Sequence, residues 1–194
     1  PVAGGPTSTM ENPSRIRRAS EAGVDVSAAF REAMSLLAAT VVMVTTRVDG
    51  RPWGLTISAC CSVSASPPML LISLGQGTVS ARAIGEEGVF GVSILGAHQE
   101  EAARTGAASG APKFVERFCR PDELGAGGEA TVRTPVLKGA VAHLDCVVER
   151  AVDVADHTVF FAEVCDVVLS PGVPPLLYWG RMYTAVDGGD PWYH

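Results

Sequence analysis

Short runs of β-branched and other apolar residues, each bounded by turn-forming residues, recur along most of this 194-residue chain. Such runs are typical of β-strands. They predict strands at residues 41–46, 55–63, 69–74, 89–95, 140–149, 158–169 and 176–186, the last interrupted at Gly180. Asp49-Gly50, after the first run, is a strong hairpin signal. Because no regular strand-helix-strand alternation is present, a mainly antiparallel barrel or sandwich is favoured over a Rossmann sheet.

Helices are predicted in fewer places. Phe30, Met34 and Leu37 fall on one helical face, and Ser27 is the predicted N-cap of that helix. Pro112 suits a first helical position. A helical segment is therefore predicted at residues 112–118, and others are predicted at 78–84 and 98–104.

The run at residues 140–149 alternates. Its even positions are all apolar, whereas its odd positions include His143, Asp145 and Glu149. This pattern predicts one buried and one wetter face, with His143 pointing outward.

Charge and composition exclude several classes of partner. The net charge of −6 has the wrong sign for binding nucleic acid through its phosphates. The uncharged stretch 52–81 contains Pro67-Pro68 and many serines, so it does not resemble a membrane span. Residues 1–20 lack the apolar segment of a secretory signal. We therefore expect neither a nucleic-acid partner nor a membrane partner.

The five cysteines form no CxxC pair, and Cys60 and Cys61 are adjacent. A disulfide between neighbours would be strained, so reduced thiols and a cytoplasmic location are expected. Residues 1–24 are rich in Gly, Pro, Ser and Arg and predict a flexible arm. One domain at 25–187 and a tail at 188–194 follow.

The segment 56–68 carries small hydroxyl and thiol side chains on both faces of a predicted strand. Small side chains bury little apolar area, but they allow a flat ligand to approach the backbone. The alternative is a tight corner of a barrel. These residues decide nothing between the two.

A glycine-flanked turn, Gly75-Gln76-Gly77, precedes Thr78 at a predicted helix start. The free amides of a helix N-terminus can bind phosphate, and Arg82 and Lys113 could add positive charge. A plain threonine N-cap is the alternative.

His157 follows Asp156 at the head of a predicted strand. A histidine there could orient an amide ligand or pass a proton, and an exposed turn histidine is the alternative. The GxGxxA pattern at 125–130 follows an acidic turn rather than a strand, so a flexible loop is expected there. No metal-ligand spacing is present in the sequence, so no metal site is expected.

Taken in order, a series of short motifs resembles the flavin reductase family, the reductase components of two-component flavin-dependent monooxygenases. The resemblance covers residues 27–186 and is carried by Val44-Thr45-Thr46, Asp49-Gly50, Gly54-Leu55-Thr56-Ile57-Ser58-Ala59, Ser62-Val63-Ser64, Pro67-Pro68, Val92-Ser93-Ile94-Leu95, Lys113-Phe114, Asp156-His157-Thr158 and Leu176-Leu177-Tyr178.

The resemblance implies a mainly β fold: a six-stranded antiparallel split β-barrel that forms a homodimer. It also implies an NADH-dependent flavin reductase that reduces FAD or FMN by hydride transfer and supplies reduced flavin to a monooxygenase, in natural-product (antibiotic) biosynthesis or aromatic hydroxylation. NADH is preferred to NADPH because no arginine cluster stands out for a 2′-phosphate. FAD and FMN both remain open.

The resemblance also implies which residues form the site. His157 would lie at the nicotinamide side as the catalytic-site residue. The cofactor-binding residues would be Thr56, Ile57, Ser58, Ala59, Cys60, Ser62 and Val63 at the flavin ring, Gly77, Thr78, Val79, Ser80, Ala83, Ile84, Ser109 and Lys113 near the phosphates, and Arg181 and Tyr183 beside the nicotinamide.

This chain departs from the family pattern at two places. Gly106-Ala107 replaces a Phe-Ala pair, and Cys60-Cys61 replaces bulkier residues. A non-catalytic flavin-binding or electron-relay protein, and a β-barrel for another small ligand, are the alternative functions.

Overall fold

The computed structural model describes residues 18–20, 23–119, 134–170 and 172–186. The chain divides into two units, residues 1–37 and 38–194. The described residues do not include the GxGxxA segment, the predicted tail or most of the predicted arm. The predicted domain limits at 25 and 187 stay predictions.

The first unit contains helix α1, Val26–Ser35. Its N-cap is Asp25, whose carboxylate accepts the amides of Ser27 and Ala28. The prediction of Ser27 as N-cap was wrong. Both residue types cap helices well, and the helix begins two positions earlier than Ser27 would allow.

The second unit is mainly β. Its strands are β1 (Ala39–Thr40), β2 (Val42–Val48), β3 (Arg51–Ile57), β4 (Cys60–Ala65), β5 (Pro68–Gly75), β6 (Val89–Ile94), β7 (Ala142–Val154), β8 (His157–Leu169), β9 (Leu176–Trp179) and β10 (Met182–Ala185). Its helices are α2 (Val79–Glu87) and α3 (Glu100–Ala107), and a short 3₁₀ turn covers Glu116–Phe118.

The strands form two antiparallel sheets. Seven lie in the order β3-β2-β6-β7-β8-β5-β4, and the other three in the order β1-β9-β10. The main sheet therefore has seven strands, not the six that the resemblance implied. The predicted strand 55–63 is in fact two strands, β3 and β4, which form opposite edges of this sheet.

The main sheet must curl, because its two edge strands are joined by Ser58 and Ala59 alone. A flat sheet of seven strands would separate its edges by roughly 29 Å. The curl encloses an apolar core to which all seven strands contribute buried or half-buried side chains. Phe90 and Phe160 are among its largest side chains, and Ala81 and Ile84 of α2 complete it.

Strand β2 is buried on both faces. Val42 and Val44 pack into the enclosed core, whereas Met43, like Val41 just before the strand, packs into a second cluster with Ala103 of α3. The turn after β2 has positive φ at Asp49 (52°) and Gly50 (72°). Two such residues form the type I′ turn that fits the twist of a hairpin, so the hairpin prediction is confirmed.

The prediction that His143 faces outward was wrong. His143 and Asp145 are 1% and 3% exposed, because residues 134–137 cover that face of β7. The hydroxyl of Thr134 donates to Asp145 Oδ1 at 2.6 Å and lies 3.1 Å from His143 Nε2. Because the Thr134 hydroxyl has already given its only proton to Asp145, the Nε2–H of His143 donates to the Thr134 oxygen. The other ring nitrogen of His143, Nδ1, pairs with the Ser93 hydroxyl at 2.9 Å.

The helix predicted at 112–118 was also wrong. The Gly54 amide donates to the Lys113 carbonyl at 2.9 Å, and the Val115 amide donates to the Pro52 carbonyl at 3.0 Å. The unpaired edge of β3 thus holds this segment in extended form, and only the 3₁₀ turn follows.

Candidate functional site

The small-residue segment lies where β3 ends and β4 begins. Thr56 and Ile57 are half-buried, and Ser58 and Ala59 are exposed. Along β4, Cys60 is half-buried, Ser62 and Val63 are exposed, and a register shift falls between Ser62 and Ser64. The segment therefore presents small side chains to solvent.

The backbone of Thr56 faces the outer edge of β3, where Gly106 of α3 packs close to its amide. Pro52 and Gly54 bond outward to the segment 113–115, and residues two apart on a strand point their amide and carbonyl groups the same way. The Thr56 hydroxyl donates to the Ala103 carbonyl of α3 at 2.8 Å. This bond holds α3 beside the strand end.

A cleft of about 230 Å³ opens next to this strand end. We call it the tyrosine cleft, and it is lined by Val41, Thr56, Ile57, Ser58, Ala107, Tyr178 and Tyr183. The rings of Tyr178 and Tyr183 lie 5.3 Å apart, and the Arg104 guanidinium lies 5.1 Å from the Tyr183 ring. Burial raises the pKa of Tyr183, so its hydroxyl stays protonated at neutral pH.

Tyr178 was missed by the sequence reasoning as a site residue. It belongs to Leu176-Leu177-Tyr178, which contributed to the family resemblance without a role of its own. The pairing of β9 with β10, which places Tyr178 opposite Tyr183, could not be read from the local pattern.

The predicted helix start at Thr78 is confirmed. Its hydroxyl accepts the Ala81 amide at 3.1 Å and donates to the Gly75 carbonyl at 2.8 Å. The amides of Val79 and Ser80 have no partner within α2, because they belong to its first turn. Two donors therefore remain for a ligand beside Gly77, which is exposed.

His157 lies beside the same turn. It is opposite Gly75 in the pairing of β5 with β8, and the Gln76 amide donates to the Asp156 carbonyl at 3.0 Å. His157 Nδ1 donates to Asp156 Oδ1 at 2.7 Å, and this hydrogen bond is the main cause of the lowered Asp156 pKa. The imidazole is 48% exposed, so it can reach a ligand.

The curl of the sheet brings these parts to one end. The Ser73 amide donates to the Ala59 carbonyl at 3.1 Å, and Gly75 lies two residues further along β5, about 7 Å away. The Trp53 indole donates to the Ser80 hydroxyl at 3.2 Å, which ties β3 to α2. The small-residue segment, the α2 start and His157 thus share one end of the barrel-like sheet.

Several predicted residues lie elsewhere or have other partners. Ile84 is fully buried in the core, and the buried Ser80 hydroxyl is used by Trp53. Ser109 is exposed in the turn after α3. Burial lowers the pKa of Lys113, whose backbone pairs with β3.

Two further predicted residues, Arg181 and Ala83, lie on the β9–β10 turn and on α2. Arg181 occupies the turn between β9 and β10 at φ 64°, next to the half-buried strand that carries Tyr183. Ala83 is half-buried on α2. Among the described residues, no group of side chains could hold a metal ion, and no helix there is long and apolar enough to cross a membrane.

All five cysteines are free thiols, but they differ in accessibility. Burial, with a smaller contribution from Cys61, raises the pKa of Cys60 to about 11. Burial also raises the pKa of Cys119 to about 11 and, further still, that of Cys146. Cys61 and Cys165 are exposed.

Alkylation should therefore separate the five thiols. With brief iodoacetamide treatment at pH 8, we expect modification of Cys61 and Cys165 first, because only about one Cys60 in a thousand is thiolate there. Peptide mass spectrometry measures the order. Since its pKa is raised, Cys60 should react faster as the pH approaches 11, and equal labelling of Cys60 and Cys61 at pH 8 would contradict the burial of Cys60.

Comparison with known proteins identifies the family. The family model described as "Flavin reductase like domain" matches residues 34–187. FMN reductase (NADH) RutF of Ancylobacter novellus is 37% identical over 159 residues, covering 82% of this chain and 84% of that protein. Flavin reductase (NADH) of Kitasatospora aureofaciens is 38% identical over 156 residues, covering 79% and 78%. The reductase component of a 4-nitrophenol 4-monooxygenase/4-nitrocatechol 2-monooxygenase of Rhodococcus opacus is 35% identical, covering 79% and 78%.

Solved structures agree with this match. The Streptomyces globisporus NADH:FAD oxidoreductase SgcE6, in complex with NAD and FAD fragments, superposes with a TM-score of 0.73 at 28% identity, covering 93% of this chain and 100% of that one. Flavin reductase PheA2 gives a TM-score of 0.72 at 30% identity, covering 85% and 100%. The curled antiparallel sheet, its small-residue strand end and these matches together show that this chain belongs to the flavin reductase like domain family.

Proposed function

We propose that this protein is an NADH-dependent flavin reductase. It binds FAD or FMN, receives NADH beside the flavin, and supplies the reduced flavin to a separate monooxygenase. The names of the Kitasatospora and Rhodococcus relatives support each half of this proposal. A pathway of natural-product biosynthesis or aromatic hydroxylation is part of the proposal.

The observation that carries it is the convergence of three features at one end of the sheet. These are the exposed small-residue segment, the α2 start with its free amides, and the tyrosine cleft. A flavin needs backbone donors and acceptors along its flat ring and donors at its phosphate. The exposed strand end at Ser58 and Ala59 and the first turn of α2 offer such groups, so the residues present fit a flavin.

Most of the predicted residues keep a role in the proposal. Thr56, Ser58 and the start of β4 contact the ring, and Gly77 to Val79 bind the phosphate with Lys113 nearby. Tyr183, Arg181 and His157 lie at the nicotinamide side. The side chains of Ile84 and Ser80 position α2 from beneath rather than touch the ligand, because they are buried, while the Ser80 amide stays available to the phosphate.

The bound flavin supplies the hydride acceptor, so the protein needs no strong acid–base pair. Its own residues hold two flat rings in register and exclude water from the space between them. Tyr178 and Tyr183 suit this work, since their paired rings form a rigid apolar wall that Arg104 holds from outside.

We also propose that the curled sheet is a split barrel and that the protein is a cytoplasmic homodimer. Exposed apolar side chains on β8 and on the β9–β10 hairpin, such as Leu169, Trp179 and Met182, favour a second subunit. The five free thiols favour a reducing compartment. Light scattering during size-exclusion chromatography measures the subunit number.

Anaerobic stopped-flow absorbance tests the function. The protein is mixed with excess FAD or FMN and then with NADH or NADPH, and the flavin absorbance near 450 nm is followed. We expect catalytic bleaching that is faster with NADH than with NADPH. A flavin that binds but is never bleached would instead support a non-catalytic flavin-binding protein, and no flavin binding would contradict both.

His157→Ala should impair NADH use modestly. The imidazole orients the nicotinamide and is no essential base, so we expect the KM for NADH to rise, or kcat to fall, by roughly three- to tenfold. Steady-state kinetics with varied NADH measures this. Asp156→Asn is the companion variant, and we expect a smaller change in KM or kcat because it only weakens the hydrogen bond that orients the His157 imidazole. Wild-type kinetics for His157→Ala would show that His157 does not belong to the site.

A further inference from the structure

A second cavity lies along the outer face of α2. We call it the α2 cleft; its volume is about 380 Å³, and it is lined by Arg47, Val48, Asp49, Val79, Arg82, Ala83, Glu86 and Glu87. Val79, Arg82, Ala83 and Glu86 recur at the spacing of one helical face, opposite the buried Ser80, Ala81 and Ile84. The turn between β2 and β3 forms the other wall.

Two charged side chains of this cleft, Arg82 and Glu86, are not used for holding the fold together. Arg82 and Glu86 have the spacing of an ion pair within one helix, yet no ion pair or hydrogen bond joins them to each other or to any other side chain within the described ranges. In α3 the same spacing pairs Glu100 with Arg104 at 2.6 Å. Arg82 and Glu86 therefore remain available to a ligand.

The charges follow an order along the helix. The free amides of the first turn come first, the Arg82 cation lies one turn in, and the Glu86 and Glu87 carboxylates lie one turn further. The face from Val79 to Glu87 extends about 12 Å. Along the helix, groups that can donate to a phosphate are thus followed by groups that can accept from hydroxyls. Carboxylates are the side chains that bind the ribose hydroxyls in nucleotide sites.

This order matches one part of a larger ligand. In the proposed function the flavin phosphate sits at the first turn of α2, and Val79 and Ala83 of that helix line the α2 cleft. Any group attached beyond that phosphate continues along the same helix. In FAD this group is adenosine monophosphate, and in FMN nothing is attached.

We infer that the α2 cleft binds the adenosine monophosphate half of FAD, with Arg82 at the pyrophosphate and Glu86 at the ribose hydroxyls. The inference rests on the proposed function and adds to it a preference for FAD over FMN. Three carboxylates against two guanidinium groups would repel a further phosphate on the ribose, so this cleft does not suit a 2′-phosphorylated nucleotide.

Flavin binding measured by isothermal titration calorimetry tests the inference without turnover. Arg82→Ala should raise the Kd for FAD about tenfold, the loss of one charge-assisted hydrogen bond, and change the Kd for FMN less than twofold. Glu86→Gln should weaken FAD binding in the same selective way. Arg150→Ala, an exposed arginine on β7, is the matched control and should leave both Kd values unchanged.

Competition provides a second measurement on the unmodified protein. Adenosine 5′-monophosphate should displace FAD at concentrations that leave bound FMN in place. Equal losses of FAD and FMN affinity in Arg82→Ala would place Arg82 at the flavin phosphate and overturn the inference, as would unchanged affinities. A raised KM for NADH with unchanged FAD binding would assign the cleft to NADH instead and also overturn it.

The two proposals fail differently. If the wild-type protein binds neither FMN nor FAD, the proposed function is wrong. If it binds and reduces both flavins but the α2 cleft variants do not discriminate between them, only the adenosine site is wrong.

Discussion

Gly106→Ala is expected to destabilise the protein by about 1–3 kcal/mol, because extra carbon in a packed interface forces the backbone apart. Gly106 is buried where α3 crosses β3. A Cβ there would lie 2.9 Å from the Thr56 amide nitrogen and 2.9 Å from Met43 Cε, and would also strike the Thr56 hydroxyl. The backbone of β3 is paired with β2 on its other side and cannot move away, so α3 must shift.

The shift should also damage the ligand site. It would break the bond from the Thr56 hydroxyl to the Ala103 carbonyl and move Ala107, which lines the tyrosine cleft. We expect the Kd for flavin to rise at least about tenfold, since sites lose function when their supporting residues move by an ångström. Urea denaturation and flavin titration measure the two effects.

Gly85→Ala is the matched control. Gly85 lies on an exposed position of α2, and a Cβ there would meet nothing within 4 Å. Alanine in a helix should stabilise the protein by roughly 0.5–1 kcal/mol relative to glycine. If Gly106→Ala behaved like Gly85→Ala, the close contact between α3 and β3 would be contradicted.

His143→Ala is expected to lower the free energy of unfolding by about 2–4 kcal/mol, because it removes buried volume and leaves polar partners unpaired. The imidazole lies between the Ser93 and Thr134 hydroxyls, and Gly91 leaves the space that the ring occupies: a Cβ at Gly91 would lie 2.5 Å from His143 Cε1. Removing the ring would strand hydroxyl groups that are at most 7% exposed.

Thermal unfolding measures this loss, and the expected drop in Tm is roughly 5–15 °C for a chain of this size. His157→Ala is the control for stability: the same substitution at an exposed histidine should move Tm by only about 1–2 °C, because surface changes are small. A drop of similar size in both variants would contradict the structural role of His143. Of the two variants, His143→Ala is thus expected to change stability and His157→Ala to change the use of NADH.

Much of the fold could be predicted from local pattern. The strands at 41–46, 69–74 and 158–169 and the hairpin at Asp49-Gly50 were confirmed, because alternation and turn chemistry act over a few residues. The predicted strand 55–63 failed at Ser58. No local signal marks the point where the chain leaves one sheet edge and enters the other.

The candidate site was predicted in part. Thr56, the α2 start and His157 were named from the sequence and lie at one end of the sheet. Tyr178 was missed, and Ile84 was named although its side chain is buried. Which side of a helix faces a ligand depends on what packs beneath it, and that packing comes from distant strands.

The sequence by itself determined which residues form strands and turns and which family the chain resembles, because backbone preferences and short motifs are properties of neighbouring residues. The tertiary structure decided that the sheet has seven strands and curls, that β2 is buried on both faces, and that His143 lies in a polar network. It also decided that the 113–115 segment pairs with β3 rather than forming a helix. Each of these depends on contacts between residues far apart in the chain, where burial by a second layer and unpaired strand edges outweigh local preference.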